Sequence, residues 1–260
     1  MEVTDRVVVV TGGGSGIGAA LCHRFHEEGA TGVVVADIDR ASAELVAGEI
    51  GGLAVEVDVS SEAHNVAMIA AAEAGYGPVD LLCLNAGIAA GGSVDATDED
   101  WERAWAVNVM SHVYGTRAVL PSMLERGHGY LLHTASAAGL LTNLGAAPYS
   151  VTKHAVVALA EWLSITYGDA GIGVSCLAPQ FVDTPMLDDL TTISDGFHEF
   201  AVDGSITTDQ VADAVVEGLG DDLFLILPHP EVADYFINKA TDYERWLGAM
   251  RKLQRNLVGE

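Results

Sequence analysis

Seven short apolar runs recur along the chain, at residues 7–10, 32–35, 53–57, 79–84, 129–133, 172–177 and 223–227. They are rich in valine and leucine and mostly continuous rather than alternating. That is the pattern of strands covered on both faces, as parallel sheets require. Between them lie Ala-rich stretches of helical length, among them residues 18–28, 62–75, 98–125 and 149–167. Strand, helix, strand repeated in this way predicts right-handed crossovers. The expected architecture is α/β: a Rossmann-type, doubly wound parallel sheet of about seven strands, with helices on both faces. No linker, low-complexity tract or solenoid repeat interrupts the rhythm, so residues 1–260 read as one domain.

Two stretches depart from it. Residues 181–205 mix turn residues with scattered large apolar side chains and show no period. A loop of that length in a compact domain is expected to be a functional lid or a mobile segment. Residues 231–257 are helical by pattern, with Tyr235, Phe236, Tyr243, Trp246, Leu247 and Met250 near three-to-four spacing. Such a tail could cap a pocket or pack on a neighbouring subunit.

Composition narrows the field. Lys plus Arg number 12 against 37 Asp plus Glu, a formal charge of −25, which argues against nucleic acid and anionic membrane surfaces. No apolar run reaches the ~18 residues of a membrane span. The N-terminus enters the first strand-like run with no basic, cleavable leader. Cys22, Cys83 and Cys176 are scattered among apolar neighbours, and read as reduced core residues of a cytoplasmic protein.

Chemistry is concentrated in two places. The first is Thr11-Gly12-Gly13-Gly14-Ser15-Gly16-Ile17-Gly18, at the junction of the first strand and first helix. Glycines there permit a tight turn and close approach of backbone to a pyrophosphate, and the helix N-terminus presents free N–H groups to it. The second strand ends at Asp37, the acidic residue expected about 20 residues on to accept from an adenosine ribose hydroxyl. A carboxylate there repels a 2′-phosphate, and neither Ser15 nor Ile38 offsets it, so the expected cofactor is NAD rather than NADP.

The second is Tyr149 and Lys153, four apart and so on one helix face, with Ser136 just past the fifth strand at the ligand-binding end of such sheets. A tyrosine with a pKa near 10 is a poor base at neutral pH unless a positive charge stabilises its phenolate. Lys153 and an oxidised nicotinamide can supply that charge. Tyr149 then takes the proton of an alcohol as hydride leaves, and Ser136 holds the substrate oxygen.

Here the sequence resembles the short-chain dehydrogenase/reductase family in its small single-domain form. The matching motifs are Thr11-Gly12-x-x-x-Gly16-x-Gly18, Asp58-Val59, Asn85-Ala86-Gly87, Asn108, Ser136 and Tyr149-x-x-x-Lys153, in family order across residues 7 to 185. The resemblance implies a catalytic set of Asn108, Ser136, Tyr149 and Lys153, with Asn108 holding a water that relays protons, Tyr149 and Lys153 also contacting the cofactor, and Lys153 binding its nicotinamide ribose. It places the cofactor against Gly12, Ser15, Gly16, Ile17, Gly18 and Asp37 at the phosphate and ribose end. Asp58 and Val59 meet the adenine; Asn85, Ala86 and Gly87 line the cofactor; Pro179, Val182 and Thr184 lie at the carboxamide end. It further implies a homodimer or homotetramer built through the long helices carrying Trp101, Trp105 and Trp162. Leu84 and Gln180 depart from the family pattern, and Gln180, where relatives have glycine, is a candidate specificity residue.

Between residues 127 and 238 the only Lys or Arg is Lys153. The segments that line the pocket in relatives, residues 88–97, 137–148 and 181–205, hold no cation to clamp a carboxylate, phosphate or coenzyme A. They carry Leu140, Leu141, Leu144, Phe181, Met186, Leu187, Leu190, Phe197 and Phe200 instead. The expected substrate is a neutral, hydrophobic secondary alcohol or its ketone. The rivals are an acyl-thioester ketoreductase, disfavoured by Asp37 and the missing cations, and a catalytically silent dinucleotide-binding regulator. No metal site is expected: His23 and His26 lie three apart without a third ligand, and His154 faces away from Lys153.

Overall fold

Valines 7–10 alternate between two hydrophobic cores, Val7 and Val9 on one side and Val8 and Val10 on the other, all buried. A strand that must satisfy both faces lies in the middle of a sheet, and this one does. The computed structural model describes residues 1–188 and 194–259; Leu190, expected to line a pocket, lies outside them. The strands β1 (Val7–Thr11), β2 (Gly32–Asp37), β3 (Leu53–Glu56), β4 (Leu81–Leu84), β5 (Gly129–Thr134), β6 (Ile172–Leu177) and β7 (Leu225–Ile226) form a seven-stranded sheet ordered 3-2-1-4-5-6-7. Every pairing is parallel.

The order reverses between β1 and β4, and the loops at their carboxyl ends carry the glycine-rich turn and Asn85. That crevice is where ligands of open α/β sheets bind. On one face lie α1 (Gly16–Glu27), α2 (Arg40–Ile50) and, further along the chain, α10 (Thr208–Gly220). The other face is covered by α3 (Glu62–Tyr76), α5 (Ser111–Arg126) and α7 (Ala147–Tyr167). Among the described residues no helix is long and apolar enough to cross a membrane.

Several boundaries differ from the sequence pattern. β4 begins at Leu81 rather than residue 79, because Asp80 ties the strand ends together: its carboxylate accepts from Val7 N–H at 3.0 Å and its carbonyl from Tyr130 N–H at 2.8 Å. The helix expected over 98–125 is α4 (Asp98–Trp105), a π-helical turn (Ala106–Met110) and then α5. Among the described residues of the aperiodic 181–205 stretch lie two short helices, α8 (Pro185–Asp188) and α9 (Asp195–Asp203), the latter capped by Ser194, whose hydroxyl accepts from Phe197 N–H at 3.0 Å. Earlier in the chain, α6 is the one-turn helix Ala138–Leu141 that follows Ser136. The tail is helical as expected, as α11 (Glu231–Thr241) and α12 (Tyr243–Leu257). Within the chain, α11 packs on α6 and α12 on α9.

Glycine 18 shows how tightly the first turn is built. A Cβ there would stand 2.0 Å from the Gly12 carbonyl oxygen, a backbone atom that cannot move aside. Gly18→Ala is expected to lower stability by about 1–3 kcal/mol, as overpacking does, and to weaken dinucleotide binding. A urea midpoint and a dinucleotide titration both equal to wild type would show that the turn tolerates the methyl.

Candidate active site

The glycine-rich turn leaves β1 with positive φ at Gly12 (66°) and Gly16 (52°), conformations that favour glycine. Ser15 is the N-cap of α1, but its side chain makes no capping bond, so the first N–H groups of the helix face the crevice without a side-chain acceptor. Together with the missing Cβ atoms this leaves room and free donors that fit a pyrophosphate. Thr11 closes its floor: the hydroxyl accepts from Asn85 N–H at 2.9 Å and Ala86 N–H at 3.1 Å, while Asn85 Nδ2 donates to the Thr11 carbonyl at 3.1 Å.

Asp37 stands at the end of β2. Its carboxylate accepts from Gly14 N–H and from Asp39 N–H, each at 2.9 Å, one bond per oxygen, which leaves both oxygens able to accept from a vicinal diol. Asp58 is turned into its own loop: one carboxylate oxygen accepts from the Ser60 hydroxyl at 2.6 Å and Ser60 N–H at 2.9 Å. The Ser60 hydroxyl holds that carboxyl below its ordinary range. Val59 beside it is buried. Thr184 reaches the turn from across the crevice: a Cβ on Gly16 would meet its Cγ2 at 3.2 Å. Val182 is buried and bridges to Ile206. Ile17 is half-buried and packs on the core below α1.

Pro148 at the start of α7 sets the helix off one residue before Tyr149. Lys153, one turn on, is buried, donates from Nζ to the Thr134 carbonyl at 3.0 Å and lies 5.6 Å from the Tyr149 ring centroid. Gly87 faces the same spot, since a Cβ on it would be 3.4 Å from Lys153 Nζ and 3.3 Å from Asn108 Oδ1. Asn108 sits in the π-helical turn, where the extra residue rolls it inward to full burial. Its Oδ1 accepts from Ile88 N–H at 2.8 Å, and its Nδ2 donates to the Ile88 carbonyl at 3.1 Å and to Thr152 Oγ1 at 3.2 Å. Ser136 Oγ accepts from Ala138 N–H at 3.1 Å and donates to the Pro179 carbonyl at 3.4 Å.

Burial decides the electrostatics. It pushes Tyr149 up, with the Ser136 hydroxyl acting against it. It pushes Lys153 down from 10.5 to about 8. The folded state therefore disfavours the charged lysine, and between those two values the unfolded chain binds more protons. Stability attributable to Lys153 rises as pH climbs through that window. Lys153→Met is expected to melt above wild type at pH 7, with the gap closing as pH rises past about 8. A melting-point difference that is constant from neutral to strongly alkaline pH would contradict this.

Four residues outside the sequence reading belong to the surroundings. His112 on α5 and His133 on β5 are buried and stacked, with Nδ1 atoms 3.0 Å apart and no partner for either Nε2 among the described residues. Burial lowers His133 to about 3; burial, then His133 and Lys153, hold His112 well below its ordinary range. His229 accepts at Nδ1 from Gln180 N–H at 3.2 Å, and Lys239 donates to the Leu140 carbonyl at 2.6 Å. Each pairs with a residue far away in sequence, and only the scarcity of lysine could have drawn notice to Lys239. By contrast, His23 pairs with Glu49 at the surface at 3.2 Å, and His154 bonds within α7 to the Ser150 carbonyl at 2.8 Å.

A parallel α/β sheet with a glycine turn at its switch point and a Ser, Tyr and Lys gathered over β5 defines a dinucleotide-dependent oxidoreductase fold. Comparison with known proteins agrees. The family model described as short chain dehydrogenase matches residues 6–194. A 1-deoxy-11-beta-hydroxypentalenate dehydrogenase of Streptomyces exfoliatus is 36% identical over 240 residues, 89% of this chain and 86% of the relative. The meso-2,3-butanediol dehydrogenase of Serratia marcescens is 34% identical, over 85% of this chain and 90% of the relative. A short chain dehydrogenase/reductase from Burkholderia phymatum, solved in complex with NAD, superposes with a TM-score of 0.87 at 31% identity, covering 94% of this chain and 96% of that one. The chain belongs to the short-chain dehydrogenase/reductase family. It is an oxidoreductase acting on CH–OH groups, of a family that uses NAD or NADP.

Proposed function

We propose that this protein is an NAD-dependent dehydrogenase/reductase interconverting a neutral, hydrophobic secondary alcohol and its ketone, with Ser136, Tyr149 and Lys153 as catalytic residues and Asn108 as their proton link. The observation that carries the reading is the meeting of Lys153 with Tyr149 and Ser136 at the carboxyl end of β5. When bound, NAD supplies a nicotinamide ring that accepts or returns hydride. The residues do the rest. Ser136 Oγ donates to the substrate oxygen and fixes it beside Tyr149. Lys153 stabilises the phenolate of Tyr149, which takes the hydroxyl proton as the C–H hydride leaves; in reduction the phenol returns it. Asn108, fixed beside Lys153 by its bonds to Ile88 and Thr152, would hold the water that relays that proton onward.

The glycine cradle from Gly12 to Gly18, Asp37, Asp58, Val59, and the strip Asn85, Ala86 and Gly87 would hold the dinucleotide, with Pro179, Val182 and Thr184 at the carboxamide end. Asp37 supports NAD over NADP. The cation-free pocket segments support an uncharged substrate, and Phe181, edge-on to Phe197 and Phe200 at 5.9 and 5.8 Å, supports an apolar wall. Leu140, Leu141 and Phe197 are buried, so part of the expected lining packs the walls themselves. Trp105, Val151, Trp162 and Ile165 are exposed on α4 and α7, a surface that suits a homodimer or homotetramer. Three free, buried cysteines suit a reducing, cytoplasmic setting.

The test is formation of reduced nicotinamide across a panel of secondary alcohols, from small aliphatic to polycyclic, with NAD and NADP compared. Turnover with NAD that grows with apolar size is expected. Faster turnover of a short 3-oxoacyl-coenzyme A would reassign the protein to thioester reduction, and tight NAD binding with no turnover to a regulator.

A further inference from the structure

Two of the three lysines in this chain are buried, and both donate to main-chain carbonyls of one short segment. Lys153 takes Thr134 and Lys239 takes Leu140, so they hold the segment at its two ends, with Ser136 between them. Lys239 comes from α11, 99 residues further along the chain. Its ammonium lies 5.7 Å from the Tyr243 ring centroid, and no carboxylate pairs with it among the described residues, in a chain with 37 acids.

The segment needs such a hold. The one-turn helix α6 ends at Leu141, and the chain leaves it through Thr142 at φ 78°, ψ 145°, a left-handed conformation that disfavours a β-branched residue. Such conformations persist only where the surroundings over-determine them. The amide that would continue the helix onto the Leu140 carbonyl, Leu144 N–H, donates instead to Asn143 Oδ1 at 3.0 Å. Lys239 takes its place on the orphaned carbonyl, at the negative end of the helix. On the far side Asn143 N–H donates to Ser150 Oγ at 2.9 Å, on the same helix as Tyr149. The strained exit is thus pinned between α11 and α7. Upstream, Gly139 N–H donates to the Ser136 carbonyl at 2.8 Å, and Ala138 N–H to Ser136 Oγ. Movement of α6 moves the hydroxyl.

We propose that Lys239 is a positioning residue for Ser136: by terminating α6 at the Leu140 carbonyl it sets the distance between the serine hydroxyl and Tyr149. The inference rests on the role given to Ser136 above. Its test is a double-mutant cycle on the full-length enzyme with Lys239→Met and Ser136→Ala, measuring kcat for the best alcohol of the panel and the Kd for NAD. Lys239→Met is expected to lower kcat by about 10- to 100-fold, as small misplacements do, with the Kd for NAD unchanged. In the Ser136→Ala background the same change is expected to have almost no further effect, because there is no hydroxyl left to misplace. Lys239→Arg, which keeps a charged donor, is expected to restore much of kcat. Should the methionine variant not fold, Lys239→Gln, too short to reach the carbonyl, takes its place. Losses that multiply across the cycle, or no loss in either variant, would overturn the proposal. Ser136→Ala with wild-type kcat would instead overturn the catalytic reading itself, whatever Lys239 does.

Discussion

Tyr149→Phe is expected to lower kcat by about 10²–10⁴-fold, the range of a lost general acid–base group, while the Kd for NAD stays within about twofold. The variant removes one oxygen and keeps the ring that lies beside Lys153 and contributes to the packing of α7. Among the described residues no hydrogen bond joins that oxygen to the glycine turn or to Asp37, so binding and chemistry are expected to separate. Steady-state rates and a fluorescence titration on the same preparation decide it. A variant retaining more than about a tenth of wild-type kcat would remove Tyr149 from the reaction. Burial raises Tyr149 in the free protein, so oxidation by the wild type is expected to fall away on the acid side, where the phenol keeps its proton. The phenylalanine variant's residual rate should lack that limb.

The second large effect concerns the choice of dinucleotide. Near a protein surface two unit charges about 4 Å apart interact by ~4 kcal/mol, and a 2′-phosphate carries more than one. Ile38, the neighbour that could carry a compensating cation, is 70% exposed and apolar. Wild type is expected to favour NAD over NADP in kcat/KM by about 100-fold or more. Asp37→Asn with Ile38→Arg should reverse the preference. Asparagine is the better replacement than alanine, because Asp37 also accepts from Gly14 and Asp39 N–H groups and an amide oxygen keeps one of those bonds. Equal kcat/KM for the two dinucleotides in the wild type would show that Asp37 does not read the ribose.

Much of this was legible in the chain because the governing forces are local. The runs of valine and leucine that form β1, β2 and β6 have no other stable placement than inside a covered sheet, and β6 spans the expected residues 172–177. Glycines 12, 16 and 18 announce the turn because only a missing side chain fits there. Tyr149 and Lys153 share a face by helical period alone. What escaped is set by distant partners. The π-helical turn at Asn108 depends on bonds to Ile88 and Thr152, which no window around residue 108 contains. Helix α9 was hidden because its apolar residues, Phe197, Phe200 and Ala201, answer to Phe181 and the tail rather than to a sheet. Lys239 reads as one more polar residue on an amphipathic helix until its partner is seen.

The strand order has a consequence for how the molecule comes into being. The glycine turn and Asp37, proposed to hold the pyrophosphate and the ribose, lie within residues 11–37, and the strip Asn85 to Gly87 follows β4, all on the neighbouring strands β1, β2 and β4. Helices α9, α11 and α12, of which α11 packs on α6 behind Ser136, lie beyond residue 194. Chains are made from the N-terminus at about 5–20 residues per second. On the ribosome, therefore, the glycine turn and Asp37 exist many seconds before Lys153, Thr184 and helices α9, α11 and α12, and the proposed coenzyme site is closed only by the later half of the chain.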